Sequence, residues 1–264
     1  IVAKAAAEHL TPYTLELVGK NPCIVDQTAP IGLTAKRIVW GKYVNCGQTC
    51  IAPDYLLVHK SKVTALTEAM VKEIKNAFGD DPQKSHSYGR IINQKHLVHL
   101  KRMLQGVTLA HGGTVNEEDL YIEPTIIDQP DLGSNVMEDE IFGPLLPVLS
   151  YENEAELRPI ISRYEKPLGF YVFSKRNTFI KKIQTEYSYG GGVSNDTMIQ
   201  FLNDELPFGG IGHSGMGAYH GKFSFDIFTH HKPFVKKAFW LDVPTRYAPY
   251  PKKFKVLKKL LGMM

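Results

Sequence analysis

Two residues with side chains suited to covalent chemistry lie in the first fifth of the chain. Cys50 closes the segment 45–50 (NCGQTC), directly after the helix-breaking Gly47. That position predicts a loop or helix start, where free backbone N–H groups can stabilise a thiolate. Glu16 lies in residues 13–17, an otherwise apolar strand, where a partly dry pocket would make its carboxylate a usable general base. The residues alone leave the alternatives open: a buried structural thiol and a solvated carboxylate.

Two further segments could contact a ligand. Glu140 begins the segment 140–144 (EIFGP) and follows the acidic pair Glu138 and Asp139. It is either part of an acidic surface turn or an acceptor for ribose hydroxyls. Residues 207–217 form a Gly-rich loop that lacks the GK[ST] ending of a P-loop and the glycine spacing of a dinucleotide fingerprint. A tightly turning structural loop is the favoured interpretation.

Alternating helices and strands must position these residues. A predicted amphipathic helix over residues 33–43 leads to Cys50, and a predicted strand over 55–59 follows it. This alternation predicts an α/β domain with a mostly parallel sheet. Further predicted helices cover residues 61–78, 93–104, 153–164, 177–186 and 252–261. Further predicted strands cover residues 108–110, 121–127, 145–149, 168–173 and 224–235.

Composition excludes several classes of protein. The chain has 264 residues, a net charge of +4 and 43% hydrophobic residues, as expected of a globular protein. No apolar run approaches the roughly 20 residues that span a bilayer. Three cysteines give neither a disulfide framework nor zinc-finger spacing, so we expect a reducing, cytoplasmic setting and no metal site. Residues 221–264 are strongly basic, but no recognition motif for nucleic acid accompanies the charge.

Four motifs together resemble those of the aldehyde dehydrogenase superfamily, in family order and spacing. They are residues 14–22 (TLELVGKNP), 45–50 (NCGQTC), 140–144 (EIFGP) and 207–210 (PFGG). The finer resemblance is to the class 3 branch, which includes fatty-aldehyde and aromatic-aldehyde dehydrogenases. It rests on residues 37–42 (RIVWGK), 52–55 (APDY) and 214–222 (SGMGAYHGK), and the likeness runs from about residue 1 to 250.

The resemblance implies the oxidation of an aldehyde to a carboxylic acid with NAD or NADP. Cys50 would form a thiohemiacetal and then a thioester, with its own backbone N–H as one oxyanion donor, and Glu16 would activate the hydrolytic water. Glu140 would bind the nicotinamide-side ribose, with Phe142 packing nearby. Residues Asn195 and Phe208 would shape the substrate funnel.

The resemblance also implies how the chain is organised. Residues 1–18 would end the coenzyme-binding domain, 19–215 would form the catalytic domain, and 216–264 would hold a dimerisation strand and a basic tail. The strand over residues 224–235 would form a homodimer, and the tail could contact a membrane surface weakly. Most of the coenzyme-binding domain would precede Ile1, so the chain alone should oxidise aldehydes poorly.

Val18 departs from the pattern, because the family has glycine there. If that position needs a positive φ, valine would displace Glu16. Two other functions therefore remain open. One is a non-catalytic or truncated relative with a binding or structural role. The other is an acylating enzyme in which CoA resolves the thioester.

Overall fold

A seven-stranded sheet forms the centre of the computed structural model, which describes residues 1–249 and 254–262. Every neighbouring pair of strands is parallel except β4 with β7. The strand order is β10 (Gly191–Ser194), β9 (Gly169–Phe173), β2 (Pro22–Val25), β3 (Tyr55–His59), β8 (Leu145–Tyr151), β7 (Thr125–Asp128) and β4 (Thr108–His111). Buried strands β2, β3, β8 and β9 carry the core, as near-continuous apolar runs do in parallel sheets covered on both faces. This confirms the predicted α/β class with a parallel-rich sheet.

The strands of the described residues are β1 (Leu15–Glu16), β2 (Pro22–Val25), β3 (Tyr55–His59), β4 (Thr108–His111), β5 (Val115–Asn116), β6 (Tyr121–Ile122), β7 (Thr125–Asp128), β8 (Leu145–Tyr151), β9 (Gly169–Phe173), β10 (Gly191–Ser194) and β11 (Gly215–Met216). The helices are α1 (Val2–Glu8), α2 (Ile31–Tyr43), α3 (Val63–Phe78), α4 (Gln94–Met103), α5 (Asn135–Glu138), α6 (Leu157–Ile161), α7 (Asn177–Glu186), α8 (Gly221–Ile227) and α9 (Phe254–Leu261).

Helix α3 shows why apolar periodicity predicts these elements well. Leu66, Met70 and Ile74 recur at helical spacing and are buried on one face. Gly79, with φ 81°, follows as the C-terminal residue that ends the helix. The strand predicted over residues 55–59 and the helix predicted over 177–186 have the observed bounds.

The strand predicted over residues 224–235 is wrong. Residues Gly221–Ile227 form α8 instead, and no regular structure follows directly. The helix begins where Ser224 Oγ accepts the His220 N–H at 2.8 Å, and Lys222 pairs with Asp226 four residues later. Phe225 and Phe228 are exposed, so the aromatic residues that suggested a strand are not packed in a sheet of this chain.

The chain divides into two compact units, one over Ile1–Phe228 and one that begins at Thr229. The second unit contains α9, which confirms the helix predicted over residues 252–261 from Phe254 onward; residues 252 and 253 lie outside the described residues. Among the residues that the structure describes, no helix is both long enough and apolar enough to cross a membrane.

Candidate active site

A tight turn between α2 and β3 holds Cys50. Asn45, Cys46 and Gly47 adopt positive φ values of 51°, 54° and 71° in succession. A Cβ on Gly47 would lie 2.3 Å from the carbonyl oxygen of Gly143, so only glycine allows this contact. The turn that leads to the cysteine therefore rests directly on the loop that carries Glu140 and Phe142.

Glu16 lies beside Cys50. Strand β1 pairs with β11 through Leu15 with Met216 and Glu16 with Gly215, which places the exposed Glu16 carboxylate close enough to Cys50 to raise the pKa of its thiol. The two residues that sequence analysis paired are thus brought together, although their chemical roles stay predictions.

The environment of Cys50 does not favour a resting thiolate, contrary to expectation. Burial raises the pKa of the Cys50 thiol to about 12, and the hydrogen bond and charge of Glu16 and the charge of Glu140 act in the same direction. The backbone N–H of Cys50 itself acts the other way but is outweighed. Cys50 is therefore a neutral thiol with a carboxylate next to it, which can accept its proton.

Phe208 and Tyr219 close one side of this pair. Phe208 is 6% exposed and packs against Ile51 and Leu168, next to Cys50. Backbone hydrogen bonds of 2.8 Å run in both directions between Phe208 and Tyr219, and the Tyr219 hydroxyl donates to Glu16 Oε2. Sequence analysis found Phe208 but missed Tyr219. The signal was available, because the two aromatic residues flank the Gly-rich loop that folds them together.

Glu140 lies in a partly buried position next to the same centre. Burial, followed by the charge of Asp54, raises the pKa of Glu140 to about 8 against the opposing effects of the Gly19 backbone N–H, Lys42 and Lys20. Burial also lowers the pKa of Lys42 to about 8. Titratable groups with pKa values near neutrality are typical of functional sites.

A buried ion pair links the three motif segments. Lys20 Nζ lies 2.6 Å from Asp54 Oδ2, with side chains 3% and 4% exposed. Lys20 also donates to the carbonyl of Asp139 at 2.7 Å, and Asp54 Oδ1 accepts the Ile141 N–H at 2.9 Å. The pair therefore joins the segment after Glu16, the segment after Cys50 and the loop around Glu140. Sequence analysis missed this role.

Phe142 is half-buried in a strained backbone conformation with φ 50°. Its carbonyl oxygen lies 2.7 Å from His96 Nε2 on α4, and the two rings are 6.3 Å apart. His96 thus holds the segment that carries the predicted coenzyme contacts.

Asn195 does not lie with the other predicted residues. It follows β10, and its N–H donates to Val172 near the carboxyl end of β9. Cys50 lies at the amino end of the sheet, where Asn21 Nδ2, just before β2, donates to its carbonyl at 2.8 Å. The two positions are separated by the length of a four-residue strand, roughly 13 Å. Asn195 instead accepts the Ser174 N–H and belongs to the opposite edge.

Val18 causes no strain at the base motif. It is not among the described residues with a positive φ, and its side chain is 66% exposed. The residue that must be glycine is Gly19, because a Cβ there would lie 2.7 Å from the Leu168 nitrogen. The substitution therefore leaves Glu16 in place.

Comparison with known proteins identifies a matching family and related sequences. Residues 1–234 match the model of the aldehyde dehydrogenase family. The chain is 45% identical over 260 residues to 4,4'-diaponeurosporen-aldehyde dehydrogenase of Staphylococcus aureus, covering 98% of this chain and 57% of that protein. It is 47% identical over 237 residues to aldehyde dehydrogenase family 3 member A2 of Rattus norvegicus, covering 90% of this chain and 49% of that protein.

Solved structures show the same relationship. The substrate-bound state of Staphylococcus aureus AldH superposes with a TM-score of 0.95 at 44% identity, covering 98% of this chain and 57% of that one. Mycobacterium tuberculosis aldehyde dehydrogenase, solved with NAD+, has a TM-score of 0.76 at 25% identity, covering 87% of this chain and 49% of that one. The chain spans about half the length of the curated relatives it matches. It belongs to the aldehyde dehydrogenase family.

Proposed function

We propose that this chain carries the chemical centre of an enzyme that oxidises an aldehyde to a carboxylic acid with NAD or NADP, through a thiohemiacetal and a thioester on Cys50. The observation that supports it most directly is the position of the Glu16 carboxylate, which the Tyr219 hydroxyl holds next to the Phe208 cluster that Cys50 packs against. A nucleophile and a base in this relation are the requirement for covalent catalysis.

In the first step the Cys50 sulfur attacks the carbonyl carbon as its proton passes to Glu16. The neutral thiol can pass its proton to this carboxylate during the attack, because the pKa of Cys50 is raised to about 12 and few molecules carry a resting thiolate. The carbonyl π electrons move to oxygen, and the Cys50 backbone N–H is the donor that this chain offers to the developing negative charge. The product is a thiohemiacetal.

Before the last step the exposed Glu16 releases the thiol proton to solvent, and it then acts as base again. Once the substrate carbon is oxidised to a thioester, Glu16 accepts a proton from water as the water oxygen bonds to that carbon. The carbon–sulfur bond then breaks, the carboxylic acid leaves, and Cys50 regains its proton. Hydrolysis needs a base that can contact a water molecule next to the thioester, and the exposed Glu16 meets this requirement.

The residues around Glu140 fit a nicotinamide coenzyme. Glu140 offers a partly buried carboxyl group of near-neutral pKa, which can both accept and donate hydrogen bonds to ribose hydroxyls. Phe142 offers a half-buried aromatic ring two residues further along the chain. NAD or NADP, when bound, supplies the acceptor for the hydride that the substrate carbon loses. Glu140 also acts on Cys50 through its charge, which supports a shared site.

Two other functions are less well supported. An acylating enzyme that uses CoA does not need a base beside the sulfur, whereas Glu16 is held there by Tyr219. A non-catalytic relative was suggested by Val18, which leaves the site undisturbed.

Assembly and location complete the proposal. We expect a homodimer in the cytoplasm, with exposed aromatic residues such as Phe225 and Phe228 at the contact between subunits. Helix α9 carries Lys258 and Lys259 in its last turn and would give at most weak contact with an anionic membrane surface.

Acylation by 4-nitrophenyl acetate tests the proposed centre without a coenzyme. We expect a burst of nitrophenolate, an acetyl group on Cys50 in peptide mass spectrometry, and slow turnover as the thioester hydrolyses. Cys50→Ser should lose the burst, while Cys46→Ser should keep it, since Cys46 is 1% exposed. Absence of acetyl-Cys50 in a folded wild-type chain would refute the proposal.

A further inference from the structure

We infer that Tyr219 is a positioning residue for Glu16, and that its hydroxyl holds the carboxylate where it can activate the hydrolytic water. The inference rests on the proposed function and concerns the hydrolysis step. The Tyr219 hydroxyl donates to Glu16 Oε2, while the same carboxylate lies within reach of the Cys50 thiol. Tyr219 therefore engages Oε2, and Oε1 is the other oxygen of the same carboxylate that can accept a proton.

The strand that carries Glu16 does not fix this side chain by itself. Strand β1 has two residues, and its partner β11 also has two. Glu16 is exposed, so no surrounding core selects one rotamer of its flexible side chain. A general base must be held within hydrogen-bonding reach of the proton it removes. A further contact is needed, and the Tyr219 hydroxyl provides it.

Tyr219 is in turn anchored to the nucleophile segment. Its backbone exchanges two hydrogen bonds of 2.8 Å with Phe208, and the two rings meet edge to face at 5.6 Å. Phe208 is buried against Ile51, the residue after Cys50. The chain of contacts from Cys50 through Phe208 and Tyr219 to Glu16 fixes the distance between nucleophile and base.

The hydroxyl stays a donor over the working pH range. Burial, followed by the hydrogen bond and charge of Glu16, raises the pKa of Tyr219 to about 12. Cys50 also acts on Tyr219 through its charge. A neutral phenol can donate to the Glu16 carboxylate both before and after an acyl group is bound to the Cys50 sulfur.

Tyr219→Phe removes the hydroxyl and keeps the ring between Phe208 and Glu16. With 4-nitrophenyl acetate we expect a full acylation burst of Cys50 and a steady-state hydrolysis rate that falls about 10-fold. Tyr247→Phe is the matched control, because it removes another tyrosine hydroxyl that donates to a carboxylate, Asp242 at 3.1 Å. It should leave both phases unchanged.

A double-mutant cycle separates positioning from a general structural effect. In a Glu16→Gln background, Tyr219→Phe should lower the residual hydrolysis rate less than 2-fold, because Tyr219 acts through Glu16. A 10-fold loss in that background, or an unchanged hydrolysis rate in the wild-type background, would refute the inference. Failure of the wild-type chain to acylate Cys50 would refute the proposed function instead, so the two failures are distinguishable. Thermal melting of each variant checks that the compared proteins are folded.

Discussion

Replacing Glu16 by glutamine should make Cys50 more reactive toward an alkylating reagent and less able to turn over an ester. The charge and hydrogen bond of Glu16 both raise the pKa of the Cys50 thiol. Removing the charge therefore increases the thiolate fraction, and the amide can donate to the sulfur. The same change removes the proton acceptor that hydrolysis needs. The two activities should move in opposite directions.

The structure sets the size of the first effect. Burial is the largest cause of the raised pKa of about 12, and Glu16 is exposed, so its own part is modest. We expect Glu16→Gln to lower the pKa of the Cys50 thiol and so to raise the thiolate fraction at neutral pH about 10-fold. A less basic thiolate is also about 3-fold less nucleophilic, so alkylation should become about 3-fold faster. Ester hydrolysis should fall about 100-fold or more.

Iodoacetamide labelling followed by peptide mass spectrometry measures the first rate. Cys23 and Cys46 are fully buried, so label on Cys50 reports the site alone in the folded chain. Glu68→Gln on the exposed face of α3 is the matched control and should change neither rate. Slower alkylation of Cys50 in Glu16→Gln would refute the reasoning, because it would mean that the carboxylate promotes the resting thiolate.

Three further predictions concern the supports of the site. Burial and the charge of Asp54 raise the pKa of Glu140 from 4.5 to about 8, above its value in the unfolded chain, so the native state favours the protonated form. The stability that the protonated Glu140 side chain contributes is present below pH 4.5 and is lost as the pH rises toward 8. In melting experiments, Glu140→Gln should therefore raise the Tm more at ~pH 9 than at ~pH 4. Lys20→Met leaves the buried Asp54 carboxylate without its cation and should lower the free energy of unfolding in urea by about 3–5 kcal/mol. The double variant Lys20→Met with Asp54→Leu should recover most of this loss, and a similar loss in the double variant would contradict the prediction. His96→Phe keeps the ring but loses the bond to the Phe142 carbonyl, and should cost about 1–2 kcal/mol in the same assay; an unchanged midpoint would show that the bond contributes nothing.

Local sequence patterns predicted the bounds of several helices and strands, because neighbouring residues determine these elements. The bounds of α7 and β3 follow from apolar periodicity and β-branched or aromatic runs that neighbouring residues decide. Residues 224–235 have a similar aromatic pattern, but a strand needs a hydrogen-bonding partner, and the Ser224 cap and the Lys222–Asp226 pair favour a helix at its start. Similar local patterns can thus give a strand or a helix, depending on whether a neighbouring strand is present to form hydrogen bonds.

The candidate site was predictable from motifs only as separate parts. Cys50, Glu16 and Glu140 each looked more structural than catalytic alone, and only their order and spacing together led to the predicted roles. Tyr219 acts across more than two hundred residues of sequence, and no local pattern indicates which carboxylate its hydroxyl contacts. The raised pKa of Cys50 likewise depends on burial by distant segments.

The contact between Gly47 and the Gly143 carbonyl couples the turn that leads to Cys50 to the loop that carries Glu140. Backbone meets backbone there, since even a Cβ would lie 2.3 Å from that oxygen, and no compressible side chain separates the two segments. A displacement of either segment must therefore move the other. For protein engineering, the turn that ends at Cys50 and the loop that carries Glu140 must be transplanted or redesigned together.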